Sequence, residues 1–179
     1  EPWVNVWIHN EFLDFGGEKM SKSVGNVKEL KDLVERGIDP LAFRYFVLQA
    51  HYRQQQTYNE EAMEAAARGY QRLVKAAIAL RDVEGAGDPD VQAPYRKRFR
   101  DALADDLNAP QAMAVTWEVA RSDALAPADQ RDLLLAFDEV LGLDLANAVV
   151  AEDVGELDPR IDALVAEREA ARKNKDFAT

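Results

Sequence analysis

Along the first residues of the chain apolar and polar positions alternate. Val4, Val6 and Ile8 are interleaved with Trp3, Asn5, Trp7 and His9, and a period of two with β-branched and aromatic members predicts a strand. Phe12-Leu13-Asp14-Phe15-Gly16-Gly17 reads as a second short strand entering a turn, because paired glycines admit positive φ and end regular structure. The period then becomes helical. Asn26 and Glu29 have capping-box spacing, Leu30, Leu33 and Val34 recur on one face, and Gly37 supplies a stop. Asp39-Pro40 joins an N-cap acid to a first-turn proline, and Leu41-Ala42-Phe43-Arg44-Tyr45-Phe46-Val47-Leu48 behind it is apolar nearly all round. A buried helix is expected there.

Past the polar Gln54-Gln55-Gln56-Thr57, Asn59 caps a long alanine-rich helix whose stripe is Met63, Ala66, Ala67, Tyr70, Leu73, Val74 and Ala77. Glu84-Gly85-Ala86-Gly87-Asp88-Pro89 is breaker-rich and reads as a loop. Three more helical stretches follow, from Tyr95 to Ala104, Pro110 to Arg121 and Pro127 to Leu141, the last ended by Gly142. Residues 145–156 read as a mobile acidic connector, and Asp158-Pro159 starts a helix with Ile161, Leu164, Val165 and Arg168 on one face. No repeat of fixed period is present. The expected fold is mainly α: a short strand-bearing stub followed by an α-helical bundle.

Composition narrows the class. Hydrophobic residues make up 47% and charged residues 31% of 179 positions, enough for one domain with a sizeable core or a small domain plus the edge of another. Cysteine is absent, which removes disulfides and thiolate ligands and suits a reducing compartment. There is no basic leader with an apolar core and no apolar run near the ~18–20 residues of a membrane span. A soluble, cytoplasmic protein without a membrane partner is expected. The chain begins Glu1-Pro2-Trp3 and ends Phe177-Ala178-Thr179, and both ends read as cuts within a longer protein.

The net charge of -11 argues against a nucleic-acid partner on composition alone, since phosphate affinity comes from cationic side chains. Position matters more than the sum. Positive residues cluster at Arg96, Lys97, Arg98 and Arg100, and again at Arg168, Arg172, Lys173 and Lys175. Solvated helix faces are the alternative for both clusters.

The chemistry concentrates in Glu18-Lys19-Met20-Ser21-Lys22-Ser23-Val24-Gly25-Asn26. Two lysines on a loop between a glycine turn and a helix N-terminus read as a device for holding phosphate, although a Lys-Ser-Lys-Ser run by itself is also what an ordinary polar loop looks like. When a carboxylate attacks the α-phosphorus of ATP, negative charge builds on the departing pyrophosphate, and a mobile ammonium stabilises that state more than the ground state. Lysine suits the task as a point charge on a long stem. The hydroxyls of Ser21 and Ser23 add hydrogen bonds, and the following helix offers its positive end.

The full string Lys19-Met20-Ser21-Lys22-Ser23 with Val24-Gly25-Asn26 resembles the KMSKS signature loop of class I aminoacyl-tRNA synthetases. Its surroundings resemble the cysteinyl-tRNA synthetase family: Trp7-Ile8-His9-Asn10 with Phe12-Leu13, then Arg44-Tyr45-Phe46, His51-Tyr52-Arg53, Asp105-Asp106-Leu107-Asn108-Ala109-Pro110, and finally Ala171-Arg172-Lys173 with Lys175-Asp176-Phe177-Ala178. The landmarks run in order over nearly the whole chain. Two departures are Glu11, where the family lead-in has glycine, and the unusually polar Gln54-Gln55-Gln56.

The resemblance implies that residues 1–38 are the C-terminal edge of a catalytic domain, 39–144 a helical bundle of the tRNA stem-contact type, and 145–179 a connector and helix leading to an anticodon-reading module. It implies the partners cysteine, ATP with magnesium, and tRNA(Cys), and a monomer. Lys22 would contact ATP and the transition state; Lys19 would organise the loop and assist. Ser21 and Ser23 would join them in ATP binding. Zinc is implied for the family, with its ligands, the amino-acid pocket and the HIGH-type motif expected before Glu1. No metal ligand is assigned in this chain, and the chain alone is expected to be inactive.

Other residues read as structural. His9 and His51 lack partners at zinc-ligand spacing. Arg44, on an apolar helix, requires an acidic partner or RNA. Asp105 and Asp106 precede a capped helix and suit an N-terminal electrostatic role. Trp3, Trp7 and Trp117 are expected in the core rather than as base-stacking platforms. Two alternatives to the synthetase remain at this stage: the related cysteine ligase of mycothiol synthesis, and a non-catalytic helical or RNA-binding module.

Overall fold

A computed structural model describes residues 3–14 and 30–149. The lysine loop and the helix expected from Asp158 lie outside those residues. Two short strands, β1 (Leu13–Asp14) and β2 (Gln56–Thr57), accompany six helices: α1 (Leu30–Glu35), α2 (Pro40–Leu48), α3 (Glu60–Leu80), α4 (Pro89–Ala104), α5 (Ala109–Ala120) and α6 (Pro127–Leu141). The fold is mainly α.

The local signals that start and stop the helices act as expected. The Asp39 side chain accepts from Leu41 N at the head of α2, and the Asn59 side chain accepts from Ala62 N at the head of α3. Each satisfies one of the backbone donors a helix start leaves open. Gly142 ends α6 in the left-handed region at φ 63°, where a side chain would be strained. One boundary differs. The fourth helix begins at Pro89 rather than near Tyr95, because Asp88 accepts from Asp90 N as its cap. Pro94 falls in the second turn without breaking the helix.

The stripe read on α3 is the spine of the core: Met63, Ala66, Tyr70, Leu73, Val74 and Ala77 are all buried. Around it close α2, α5 and α6. From α6 come Leu133, Leu134, Phe137 and Leu141, and Phe137 stacks on Phe99 of α4 with ring centroids 4.1 Å apart. Helix α2 buries Ala42, Tyr45 and Phe46 but leaves Val47 exposed, so it is a one-sided helix rather than one buried all round. It lies close to α3: a Cβ on Gly69 would stand 2.9 Å from the Tyr45 ring. The Tyr45 hydroxyl accepts from Trp117 Nε1 of α5 at 2.9 Å, tying three helices at one point.

Three expectations fail. Residues 3–9 form no strand, and Trp3 (87%) and Trp7 (67%) are exposed rather than in the core. A strand is defined by its hydrogen-bonded neighbour, and no described segment offers an edge to this stretch. The connector expected from residue 145 is also different at its beginning. Leu145 and Ala148 are buried in the bundle, and the Asp138 side chain accepts from the backbone N–H groups of Leu143 and Leu145, at 2.7 Å each. Of the three tryptophans, only Trp117 packs against the core.

Candidate active site

Lys19, Ser21, Lys22 and Ser23 lie outside the described residues, so the site is built from what holds the two ends of their loop. The entering end is β1. It pairs in parallel with β2, Leu13 opposite Gln56 and Asp14 opposite Thr57. Two backbone bonds extend the pairing, from Glu11 N to Tyr52 O at 2.8 Å and from Tyr58 N to Asp14 O at 2.6 Å. A parallel pair requires a crossover; here the crossover is the lysine loop with α1 and α2.

The strand β2 is itself anchored. Gln56 Nε2 donates to Phe46 O at the end of α2 at 2.8 Å, and buried Tyr58 meets the Phe46 ring edge-on at 6.1 Å. The polar Gln56 thus makes a packing contact through its amide. On the far side of the loop stands α1, which buries Leu33, and Arg36 just after it pairs with Glu60 of α3 at 2.6 Å. The described segments on either side of residues 15–29 are therefore both fastened to the α2–α3 hairpin.

Beside β1 and the segment between α2 and β2 lies an open cleft of about 160 Å³, lined by Asn10, Phe12, Leu13, His51, Tyr52 and Gln54 among others. At its margin stands a charged cluster the sequence reading did not assemble. Asp106 accepts from the Tyr52 hydroxyl at 2.6 Å and from Arg53, whose Nε lies 2.7 Å from Oδ2. Arg53 Nε also donates to the Tyr52 hydroxyl at 2.9 Å, and His51 stacks on the Tyr52 ring at 4.9 Å. The hydrogen bonds from Tyr52 and Arg53 hold the Asp106 carboxyl below the usual carboxylate range, and the Asp106 hydrogen bond raises Arg53 in turn.

Asp106 therefore does not serve a helix N-terminus, as its position before α5 suggested. Asn108 takes that role by accepting from Gln111 N, while Asp105 closes the C-terminus of α4. The signal that could have found the cluster is the tripeptide His51-Tyr52-Arg53, a concentration of donors on one short turn in need of an acceptor.

Several of the remaining candidates have partners within the fold. Arg44 meets the carbonyl of Leu141, to which its Nε donates, a cation at the C-terminus of α6. In the first basic cluster Arg96 donates to Gln92, Lys97 pairs with Asp101 and Arg98 pairs with Glu118; the second cluster lies outside the described residues. Hydrogen bonding from Arg98 lowers the Glu118 carboxyl. Among the described residues no group of three or more His, Asp or Glu could hold a metal, and no helix is long and apolar enough to cross a membrane.

Comparison with known proteins bears on the same segment. Residues 1–68, which include the lysine loop and both of its anchors, match the family model for tRNA synthetases class I (C) catalytic domain. The whole chain is similar to cysteine–tRNA ligases. It is 34% identical to the cysteine–tRNA ligase of Leptospira interrogans over 99% of this chain and 41% of that protein. To the ligase of Thioalkalivibrio sulfidiphilus it is 39% identical over 99% of this chain and 40% of that protein. With cysteine–tRNA ligase 1 of Burkholderia lata the identity is 41%, over 98% of this chain and 36% of that protein. The chain spans about two-fifths of the length of these curated relatives.

Proposed function

We propose that this chain is the part of a cysteine–tRNA ligase that carries the ATP-handling loop and the helical domain beside it. The observation that supports this reading most strongly is the Lys19-Met20-Ser21-Lys22-Ser23 string, lying between β1 and α1 inside the segment that matches a class I catalytic domain. In the whole protein the cysteine carboxylate attacks the α-phosphorus of ATP, and pyrophosphate leaves as cysteinyl-adenylate forms. A terminal ribose hydroxyl of tRNA(Cys) then attacks the activated carbonyl and releases AMP. Lys22 contacts the phosphates as charge moves onto the leaving pyrophosphate. Lys19 orders the loop and assists, and Ser21 and Ser23 donate to phosphate oxygens.

The domain assignment proposed is 1–38 for the catalytic edge, 39–144 for the tRNA-facing bundle and 145–179 for the passage toward an anticodon-reading module, with the bundle core reaching as far as Ala148. Magnesium accompanies ATP; zinc and the cysteine pocket belong to the portion of the relatives not spanned here. The proposed setting is a cytoplasmic monomer, with the isolated chain inactive in cysteine-dependent ATP–pyrophosphate exchange.

The test is Lys22→Ala in the full-length enzyme. Adenylate formation should slow on the order of 100-fold to 1,000-fold, as when one preorganised transition-state donor is removed, with cysteine binding little changed. Lys22→Arg should remain impaired because a planar guanidinium redirects the hydrogen bonds. A normal activation rate in the alanine variant, measured by rapid quench, would remove Lys22 from the chemistry.

A further inference from the structure

Asp106 lies on the junction between α4 and α5, far in sequence from the lysine loop. It nonetheless reaches the segment that fastens the strand entering that loop. We propose that Asp106 is a positioning residue for adenylate formation, holding Tyr52 and Arg53 so that the Tyr52 carbonyl fixes the strand that leads into the lysine loop.

The chain of contacts is continuous. The Asp106 carboxylate receives the Tyr52 hydroxyl at 2.6 Å and Arg53 Nε at 2.7 Å. The Tyr52 carbonyl accepts from Glu11 N at 2.8 Å, two residues before β1 begins. Residues 15–29, which include the lysine loop, follow β1 in the chain. Arg53 braces the arrangement from the other side, lying over the Tyr52 ring at 5.2 Å while donating to its hydroxyl. The donors act on a single acceptor, so the turn has one preferred setting as long as the carboxylate is present.

The backbone at Asp106 supports the assignment. Asp106 and Leu107 both adopt positive φ, 55° and 54°, a conformation that side-chain-bearing residues occupy rarely and singly. The turn is closed by Leu107 N to Leu103 O at 3.1 Å and Asn108 N to Ala102 O at 3.0 Å. Aspartate tolerates the left-handed region better than most residues. The cluster is too exposed to matter much for stability, since surface ion pairs contribute little. Its effect is expected on geometry instead, since a small misplacement of a group that takes part in the chemistry costs rate out of proportion to its energy.

This rests on the ligase reading for its catalytic arm, so the experiment has two arms. The first uses the 179-residue chain alone and measures amide hydrogen exchange. Asp106→Gly keeps the left-handed turn and removes the carboxylate; it should speed exchange at the Glu11 amide by about tenfold or more as that bond opens locally, with α3 amides unchanged. The second uses the full-length enzyme at saturating ATP and cysteine. Asp106→Gly should slow adenylate formation about tenfold while KM for cysteine moves by less than about twofold. Tyr52→Phe, which removes the hydroxyl donor, should slow it too, and the double variant should lose little more than Asp106→Gly alone.

Unchanged Glu11 protection, an unchanged activation rate, or fully additive losses would each overturn the proposal. A wild-type enzyme that forms no cysteinyl-adenylate would instead refute the ligase reading itself. The exchange arm reports on the clamp independently of that result.

Discussion

Among the described glycines Gly87 leaves the least room for a side chain, and it makes a quantitative prediction. The loop before α4 enters over the first turn of α6, where Asp129 and Gln92 are each only 4% exposed. One Asp129 oxygen accepts from Asp88 N at 2.6 Å and from Gln92 Nε2 at 3.1 Å, and the neighbouring Asp132 accepts from Gly87 N at 2.8 Å. A Cβ at position 87 would stand 2.1 Å from Gln92 Nε2, 2.4 Å from Asp129 Oδ1 and 2.9 Å from Asp129 Cα. Side chains could turn aside, but only by breaking bonds to a buried carboxylate; the Cα could move only with α6. Gly87→Ala therefore loses at least one charge-assisted hydrogen bond, about 1.5–3 kcal/mol, overlapping with an overpacking cost of about 1–3 kcal/mol. Because the shift that relieves the clash is the one that breaks the bond, the net expectation is about 3 kcal/mol. At roughly 2–4 °C per kcal/mol for a chain of this size, Tm should fall by about 6–12 °C. Far-UV circular dichroism melts of the 179-residue chain measure it. Gly85→Ala is the control: nothing stands within 4 Å of its Cβ, so only its φ of +85° is penalised, by about 1–2 kcal/mol. A Tm loss at Gly87 no larger than at Gly85 would refute the packing argument.

Further outcomes follow from single contacts. Arg44→Ala should destabilise the bundle by about 1–2 kcal/mol, because the Leu141 carbonyl loses a cationic donor at the end of α6; urea unfolding would show the shift, and an unchanged midpoint would refute that role. The Asp106 carboxyl is held below its ordinary range by the hydrogen bonds from Tyr52 and Arg53, so its contribution is present above the ordinary carboxylate range and lost as pH falls through the lowered value. Faster exchange of the Glu11 amide in Asp106→Asn relative to wild type should thus be clear near neutral pH and should close in acid. A difference that grew on acidification would contradict the sign.

Helix content was legible because its signals are local. Asp39-Pro40, Asn59 and Gly142 act on the backbone within one turn, so the sequence around them suffices to place an end. The same reasoning could have placed the start of α4, since Asp88-Pro89 repeats the Asp39-Pro40 pairing; the glycines before it and Pro94 after it obscured the match. The phosphate role proposed for Lys19 and Lys22 rests likewise on residue types at short spacing.

Strand formation at residues 3–9 was not decidable from alternation, because a ladder needs a neighbouring edge and the pattern records only which side chains would share a face. Burial of Leu145 and Ala148 depends on Asp138 turning the chain back after Gly142, a capture by a side chain on α6 that composition does not announce. Asp106 belongs to the same class. It lies 54 positions from Tyr52, and only the packing of α5 against α2 and α3 brings its carboxylate to the turn that holds β1. What the sequence alone determined was therefore the helices and most of their ends, through interactions spanning a few residues. Which acceptor meets which donor across the bundle was decided by tertiary structure, because that pairing depends on the distances set when separate helices bury their apolar faces together.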